Sequence, residues 1–168
     1  MSAEIDWEAA VEPGHRMLGL TLGMDFSSVR ALLGPAGAEV QFRGSPLLIV
    51  DDQQEGAIHL RAVDLLGLPY EWQNSLVRLV FSDGRLVTIT ADGMMGNEFY
   101  AYRGKFKGKV GLGSKVSELQ EFGTFEFDDA EEVFFSDGWK GMEVSGSNAC
   151  DLEKSPDQTI TFMKVWCR

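Results

Sequence analysis

The chain has 168 residues and carries 26 acids against 15 bases, a formal charge of −11, with 44% hydrophobic and 11% aromatic residues. That size and composition suit one folded domain with a real core and exclude long disordered stretches. The charge argues against binding nucleic-acid phosphates or anionic membranes, and no apolar run approaches the roughly 18 residues of a membrane span.

The segment Met1 to Glu8 is acidic and lacks a basic region followed by an apolar one. It is not read as a secretory signal, and the expected compartment is the cytoplasm. A first repeat unit is expected from about residue 17. Leu20, Leu22 and Met24 alternate as a short strand does. Asp25 and Ser27 are N-cap candidates for a helix whose packed face is Phe26, Val29, Leu32 and Leu33, and Gly34-Pro35 ends it. Strands are expected around Val40 and Phe42, over Pro46 to Val50, and over Ala57 to Val63, where Ile58 and Leu60 face away from His59 and Arg61. Asp51 to Gly56 reads as a polar turn. Leu76 to Phe81 and Leu86 to Thr90 form a hairpin across Phe81-Ser82-Asp83-Gly84, because Asp-Gly tolerates the positive φ of a two-residue turn.

A linker follows over 93–107, rich in glycine, with Asn97, Phe99, Tyr100, Tyr102 and Phe106, and a basic group at Arg103, Lys105 and Lys107 continues just past it to Lys109. A second unit is expected over about 108–168. Val110 and Leu112 open it, Ser114 is a cap candidate, and Val116, Leu119 and Phe122 share one helical face that closes at Gly123. Phe135-Ser136-Asp137-Gly138 repeats the earlier tetrapeptide and predicts a second hairpin, followed by strands at Met142 to Val144 and Thr159 to Cys167. The expectation is a single α+β domain: two duplicated helix-plus-antiparallel-strand units forming a largely antiparallel sheet with short helices packed on it.

Two stretches carry a family resemblance, Leu20 to Pro35 and Val110 to Gly123, each a glycine step into a short helix ending in glycine, with the Phe-Ser-Asp-Gly tetrapeptide later. This pattern resembles the repeat of beta-lactamase inhibitor proteins and is similar to small outer-membrane lipoprotein modules of the SmpA/OmlA type. The chain departs from both: it shows no lipobox cysteine and no cysteine pair inside each unit. The resemblance implies a tandem unit whose sheet offers a broad surface to another protein.

The chemistry-bearing residues are few. His15 and His59 are the only histidines, and neither has a metal-spaced partner. Cys150 and Cys167 match no metal or redox spacing, and whether they pair is left open. No phosphate-cradling glycine motif occurs, so no metal or cofactor is expected. The prominent cluster is acidic: Glu126, Asp128, Asp129, Glu131 and Glu132, then Asp137, interleaved with Phe125, Phe127, Phe134, Phe135 and Trp139. A second acidic group is Asp51, Asp52 and Glu55, with Tyr70 and Trp72 as further aromatic candidates. Acids speed encounter with a basic protein, and exposed rings anchor it. The sequence therefore predicts a non-enzymatic protein-binding module, monomeric or weakly dimeric. Its expected role is that of an immunity protein occluding a basic toxin domain such as a nuclease, with Asp128, Asp129, Glu131, Glu132, Asp137, Trp139, Asp51, Asp52 and Glu55 at the interface. Two other readings stay open: an assembly adaptor with a flat hydrophobic patch, and a small hydrolase pairing His59 with a carboxylate of raised pKa in a deep pocket.

Overall fold

The computed structural model describes residues 3–93 and 99–167; positions 94–98 of the expected linker, Asn97 among them, lie outside the described residues. A two-stranded ribbon, β1 (Arg16–Met17) with β2 (Leu20–Thr21), leads into helix α1 (Phe26–Leu33). The remaining strands are β3 (Glu39–Val40), β4 (Leu48–Asp51), β5 (Ala57–Ala62), β6 (Ser75–Ser82), β7 (Arg85–Asp92), β8 (Glu126–Asp128), β9 (Val133–Phe135), β10 (Met142–Gly146) and β11 (Ile160–Trp166). They form one nine-stranded sheet in the order β3-β4-β5-β6-β7-β11-β10-β9-β8, with every pairing antiparallel. The chain is thus α+β, dominated by a large antiparallel sheet.

Alternation along the strands separates the two faces of the sheet. On one face Val50, Leu60, Val77, Ala91, Met163, Val144, Phe134 and Phe127 stand opposite one another from strand to strand. All but Phe127 are buried, and they join a continuous core with Val29 and Leu33 of α1 and with Val116 and Leu119. Burying apolar side chains is worth about 1.5–3 kcal/mol each, so this row fixes the register of all eight strands it crosses.

Three expectations are corrected. The second helix is a 3-10 segment, Val116–Phe122, rather than an α-helix. Its inward residues Val116, Leu119 and Phe122 recur every three positions, the eclipsing period of a 3-10 helix. In α1 the buried residues are Val29 and Leu33, four apart, as an α-helix requires. The two Phe-Ser-Asp-Gly copies also differ. Asp83 and Gly84 form a two-residue turn with φ of 49° and 73°, whereas Asp137–Trp139 is a 3-10 turn inside a longer β9–β10 connection. Finally, the expected linker is more than a connection, since its described part packs inward. Tyr102 and Phe106 are buried, and the N-terminal segment, assigned no structural role from sequence, brings Ile5, Trp7 and Val11 into the same core. Trp7 donates from its backbone N to Arg43 O, accepts at its carbonyl from Arg103 N, and donates from its indole Nε1 to Tyr100 O.

Candidate functional site

The other face of the sheet carries a second strand-to-strand row: Asp51, His59, Arg78, Thr90, Lys164, Glu143, Phe135 and Glu126. At about 4.8 Å per strand the row runs roughly 34 Å. It holds both ends of the charge pattern on one surface. Charged residues cannot face the core without partners, so this face stays open to solvent.

A groove of about 860 Å³ follows the β5–β6–β7–β11 part of this face, with His59, Ser75, Arg78, Thr90 and Lys164 on its floor and Trp72 and Phe162 contributing rings. Trp72 stacks on Tyr70 with ring centroids 6.2 Å apart, and the two are 51% and 61% exposed. Large rings that exposed are unusual away from a contact surface.

His59 has a hydrogen-bond partner at each ring nitrogen. Its Nε2 lies 3.0 Å from Gln54 Oε1, and its Nδ1 lies 2.8 Å from Ser75 Oγ. An amide oxygen only accepts, so Nε2 bears the proton and Nδ1 presents a lone pair to the Ser75 hydroxyl. Burial first, then the Arg61 and Arg78 guanidiniums, hold the imidazole pKa below its ordinary value. Ser75 reaches this position through an irregularity. Leu60 pairs with Val77 while Arg61 pairs with Ser75, so Leu76 is an extra residue, a β-bulge. The bulge puts Ser75 on the same face as Arg78, three positions along, where an unbroken strand would put it on the other.

Arg61 closes one end of the groove. Its Nε donates to Asp51 Oδ2 at 2.8 Å, and one NH group donates to Asn74 Oδ1 at 2.9 Å. Burial works to raise the Asp51 pKa, but the Arg61 and Gln53 N–H donors and the Arg61 charge outweigh it and hold the carboxyl below its ordinary value. The carboxylate of raised pKa expected beside His59 is therefore not Asp51, the acid cross-strand from it. At the other end Lys164 Nζ lies 2.6 Å from Glu143 Oε2.

The expected interface residues separate into two groups toward opposite edges of the sheet. Asp51 pairs with Arg61, Asp52 pairs with Arg30 at 3.3 Å, and Glu55 is exposed in the β4–β5 turn. Six strand steps away, roughly 29 Å, lie Asp128, Asp129, Glu131 and Glu132 in the β8–β9 turn. Asp128 Oδ1 accepts from the Ala130 and Glu131 N–H groups and shapes that turn. Asp128, Glu131 and Asp137 border a second concavity, of about 640 Å³. Among the described residues no cation lies within ion-pair distance of Asp129, Glu131, Glu132 or Asp137. The interleaved rings divide: two are buried, and Phe127, Phe135 and Trp139 are half-buried. Phe134 is buried in the core row of the sheet, and Phe125 is buried just before β8. Trp139 Nε1 donates to Phe122 O at 2.9 Å, and Lys107 Nζ sits 4.5 Å over its ring. Both cysteines are free thiols.

Ser75, Gln54 and Arg78 carried no sequence signal. Only the register and the bulge bring them to His59.

No family model and no curated protein sequence matches the chain. Among solved structures it is similar to the uncharacterized protein yfeY of Escherichia coli, at 10% identity and a TM-score of 0.47 over 98% of this chain and 99% of that one. It is also similar to a cysteine-rich secretory protein of Staphylococcus aureus, at 10% identity and a TM-score of 0.43 over 96% of this chain and 50% of that one.

Proposed function

We propose that this protein is a binding module that docks another protein on its open sheet face, in the role of an immunity protein that occludes a basic toxin domain. The observation that carries the reading is the bare face itself: a grooved, charge-lined surface with the Tyr70–Trp72 stack exposed at its rim. Exposed aromatic pairs are the residue types that dominate interface energetics. The unpaired acids of the β8–β9 turn lie at the far edge of the same sheet and would steer a basic partner toward it. Occlusion of the partner's active site needs no covalent step. The module would work in the cytoplasm as a monomer or weak dimer.

The same reading takes the fold as a duplication. Each half runs from a short helical segment into strands, and the halves meet through their last strands, β7 and β11, paired antiparallel. The Phe-Ser-Asp-Gly copies do not support it, since one joins β6 to β7 and the other leads from β9 to β10.

The test is titration of a purified basic toxin domain encoded beside this gene. Its activity should fall as one equivalent of this protein is added, and affinity should drop with salt. Tyr70→Ala with Trp72→Ala should raise Kd about tenfold or more, as loss of aromatic anchors does. Binding that is unaffected by salt would favour the adaptor reading. Absence of any complex at low salt would remove the immunity reading.

A further inference from the structure

We propose that the groove also carries a nucleophilic serine site, with Ser75 as nucleophile, His59 as general base, Gln54 as the residue that orients the base and Arg78 as the cation facing the developing negative charge, acting on small carboxylic esters. This goes beyond the binding reading and does not depend on it.

The argument starts from the hydrogen-bond chain. A serine hydroxyl is a poor nucleophile until a base within about 2.6–3.2 Å takes its proton, and the base must be held in one tautomer by a third group. Ser75 Oγ lies 2.8 Å from His59 Nδ1, and Gln54 Oε1 lies 3.0 Å from Nε2. The amide oxygen fixes the proton on Nε2 and leaves the lone pair on Nδ1 aimed at the hydroxyl. Histidine is a useful base only when neutral. The groups around it are Arg61 on its own strand, Arg78 on β6, Asp51 on β4 and Glu71 in the following turn, and burial with the two arginines prevails over the acids.

Three further observations converge on the same place. The β-bulge at Leu76 is what turns Ser75 onto the open face beside Arg78, and bulges commonly re-aim a side chain next to a reactive site. Arg78 is directly cross-strand from His59, and its guanidinium makes no ion pair with any described residue, so its donors are available to an oxyanion. The constellation also lines the larger groove, where Trp72 and Phe162 offer ring surface to an apolar or aromatic substituent.

The step balances without a cofactor. The Ser75 hydroxyl proton passes to His59 Nδ1 as Oγ bonds to the ester carbonyl carbon, and the carbonyl π pair moves to the oxygen facing Arg78. Collapse restores the carbonyl and breaks the bond to the alkoxy group, which leaves with the Nδ1 proton as an alcohol. Water then repeats the sequence. It gives a proton to Nδ1, its oxygen bonds to the acyl carbon, and Oγ departs and recovers that proton.

The test treats the full chain with a fluorophosphonate probe and separately with p-nitrophenyl acetate, reading attachment by intact mass and peptide mapping. One probe group is expected on Ser75, absent in Ser75→Ala and slowed at least tenfold in His59→Ala. Gln54 lies in an exposed turn, so Gln54→Leu keeps the fold and should slow labelling several-fold. Gln54→Glu should instead move the pH–rate inflection upward, because a carboxylate beside Nε2 stabilises the charged imidazole. The inflection of the unaltered protein should lie below that of free histidine. Labelling elsewhere, labelling undiminished in Ser75→Ala, or a Gln54→Glu profile that does not move would overturn the site. Failure of the protein to bind a toxin domain would leave the labelling result standing, and binding without labelling would overturn this site alone.

Discussion

Trp7 is the residue with the most at stake in the fold. Its ring is fully buried, meets Tyr102 edge-on at 6.4 Å, and its backbone is clasped between Arg43 and Arg103. Trp7→Ala should cost about 3–5 kcal/mol, read as a lower denaturant midpoint. Trp7→Phe should cost less, because it keeps most of the ring area and loses only the indole bond to the Tyr100 carbonyl. Gly104 stands beside this contact. A Cβ there would lie 2.0 Å from Ala9 O, the same carbonyl that accepts from the buried Tyr102 hydroxyl, so neither backbone nor ring can yield easily. Gly104→Ala should destabilise by about 1–3 kcal/mol, checked by thermal and denaturant unfolding. His59 makes stability depend on pH. Its folded pKa is depressed, so the unfolded chain binds more protons as pH drops below the ordinary histidine value of 6.5. The stability it contributes is fully present above that pH and is lost as pH falls toward the folded value. Asp25 and Asp51, also depressed, extend the loss at lower pH, below the ordinary carboxylate value of 3.8. Unfolding midpoints measured from pH 8 downward should begin to drop near 6.5, and His59→Gln should remove that upper part of the slope while leaving the carboxylate part.

At the scale of elements, one tetrapeptide yields two structures, and substitution separates them. Gly84 holds a φ of 73° in the tight β6–β7 turn, where an L side chain meets the following carbonyl. Gly84→Ala should therefore cost about 1–2 kcal/mol. Gly138 has no positive φ, and an added Cβ would find only ordinary contact, 3.7 Å from Ser136 Oγ. Gly138→Ala should stay within about 0.5 kcal/mol of neutral. Parallel denaturant titrations of the two variants test this directly. The difference arises because strand pairing fixes the loop length: Ser82 pairs with Arg85, leaving two residues to turn, whereas Phe135 pairs with Glu143. The strands β4 to β7, helix α1 and its Asp25 cap were legible from alternation and capping chemistry, since each signal lies within a few neighbouring residues. The N-terminal segment was not legible. Ile5, Trp7 and Val11 keep the even spacing of a strand, but the segment makes only isolated bridges, Asp6 with Arg43 and Val11 with Phe106, and those partners are far away in the chain.

For the whole molecule, the sheet converts a scattered charge pattern into a polarised surface. Asp51 and Asp52 at the β4 end are neutralised by Arg61 and Arg30, whereas Asp129, Glu131 and Glu132 at the β8–β9 end have no such partner among the described residues. With a formal charge of −11, association with a basic partner should slow by about tenfold from low to physiological salt, measured by stopped-flow at fixed temperature. Replacing Asp129, Glu131 and Glu132 by their amides should remove much of that salt dependence, while the same change at Asp51 should mainly lower stability. Asp51 holds Arg61, which in turn holds Asn74, so its loss breaks a partly buried network rather than a steering field. The sequence alone determined the class of fold, the helix with its cap, the tight hairpin and the net charge, because those depend on local spacing or on composition. Only the tertiary structure decided which acids stay unpaired, which rings turn inward, and that Ser75, His59, Gln54 and Arg78 meet. Such encounters depend on strand order, register and a single bulged residue, and none of these is a property of neighbouring residues.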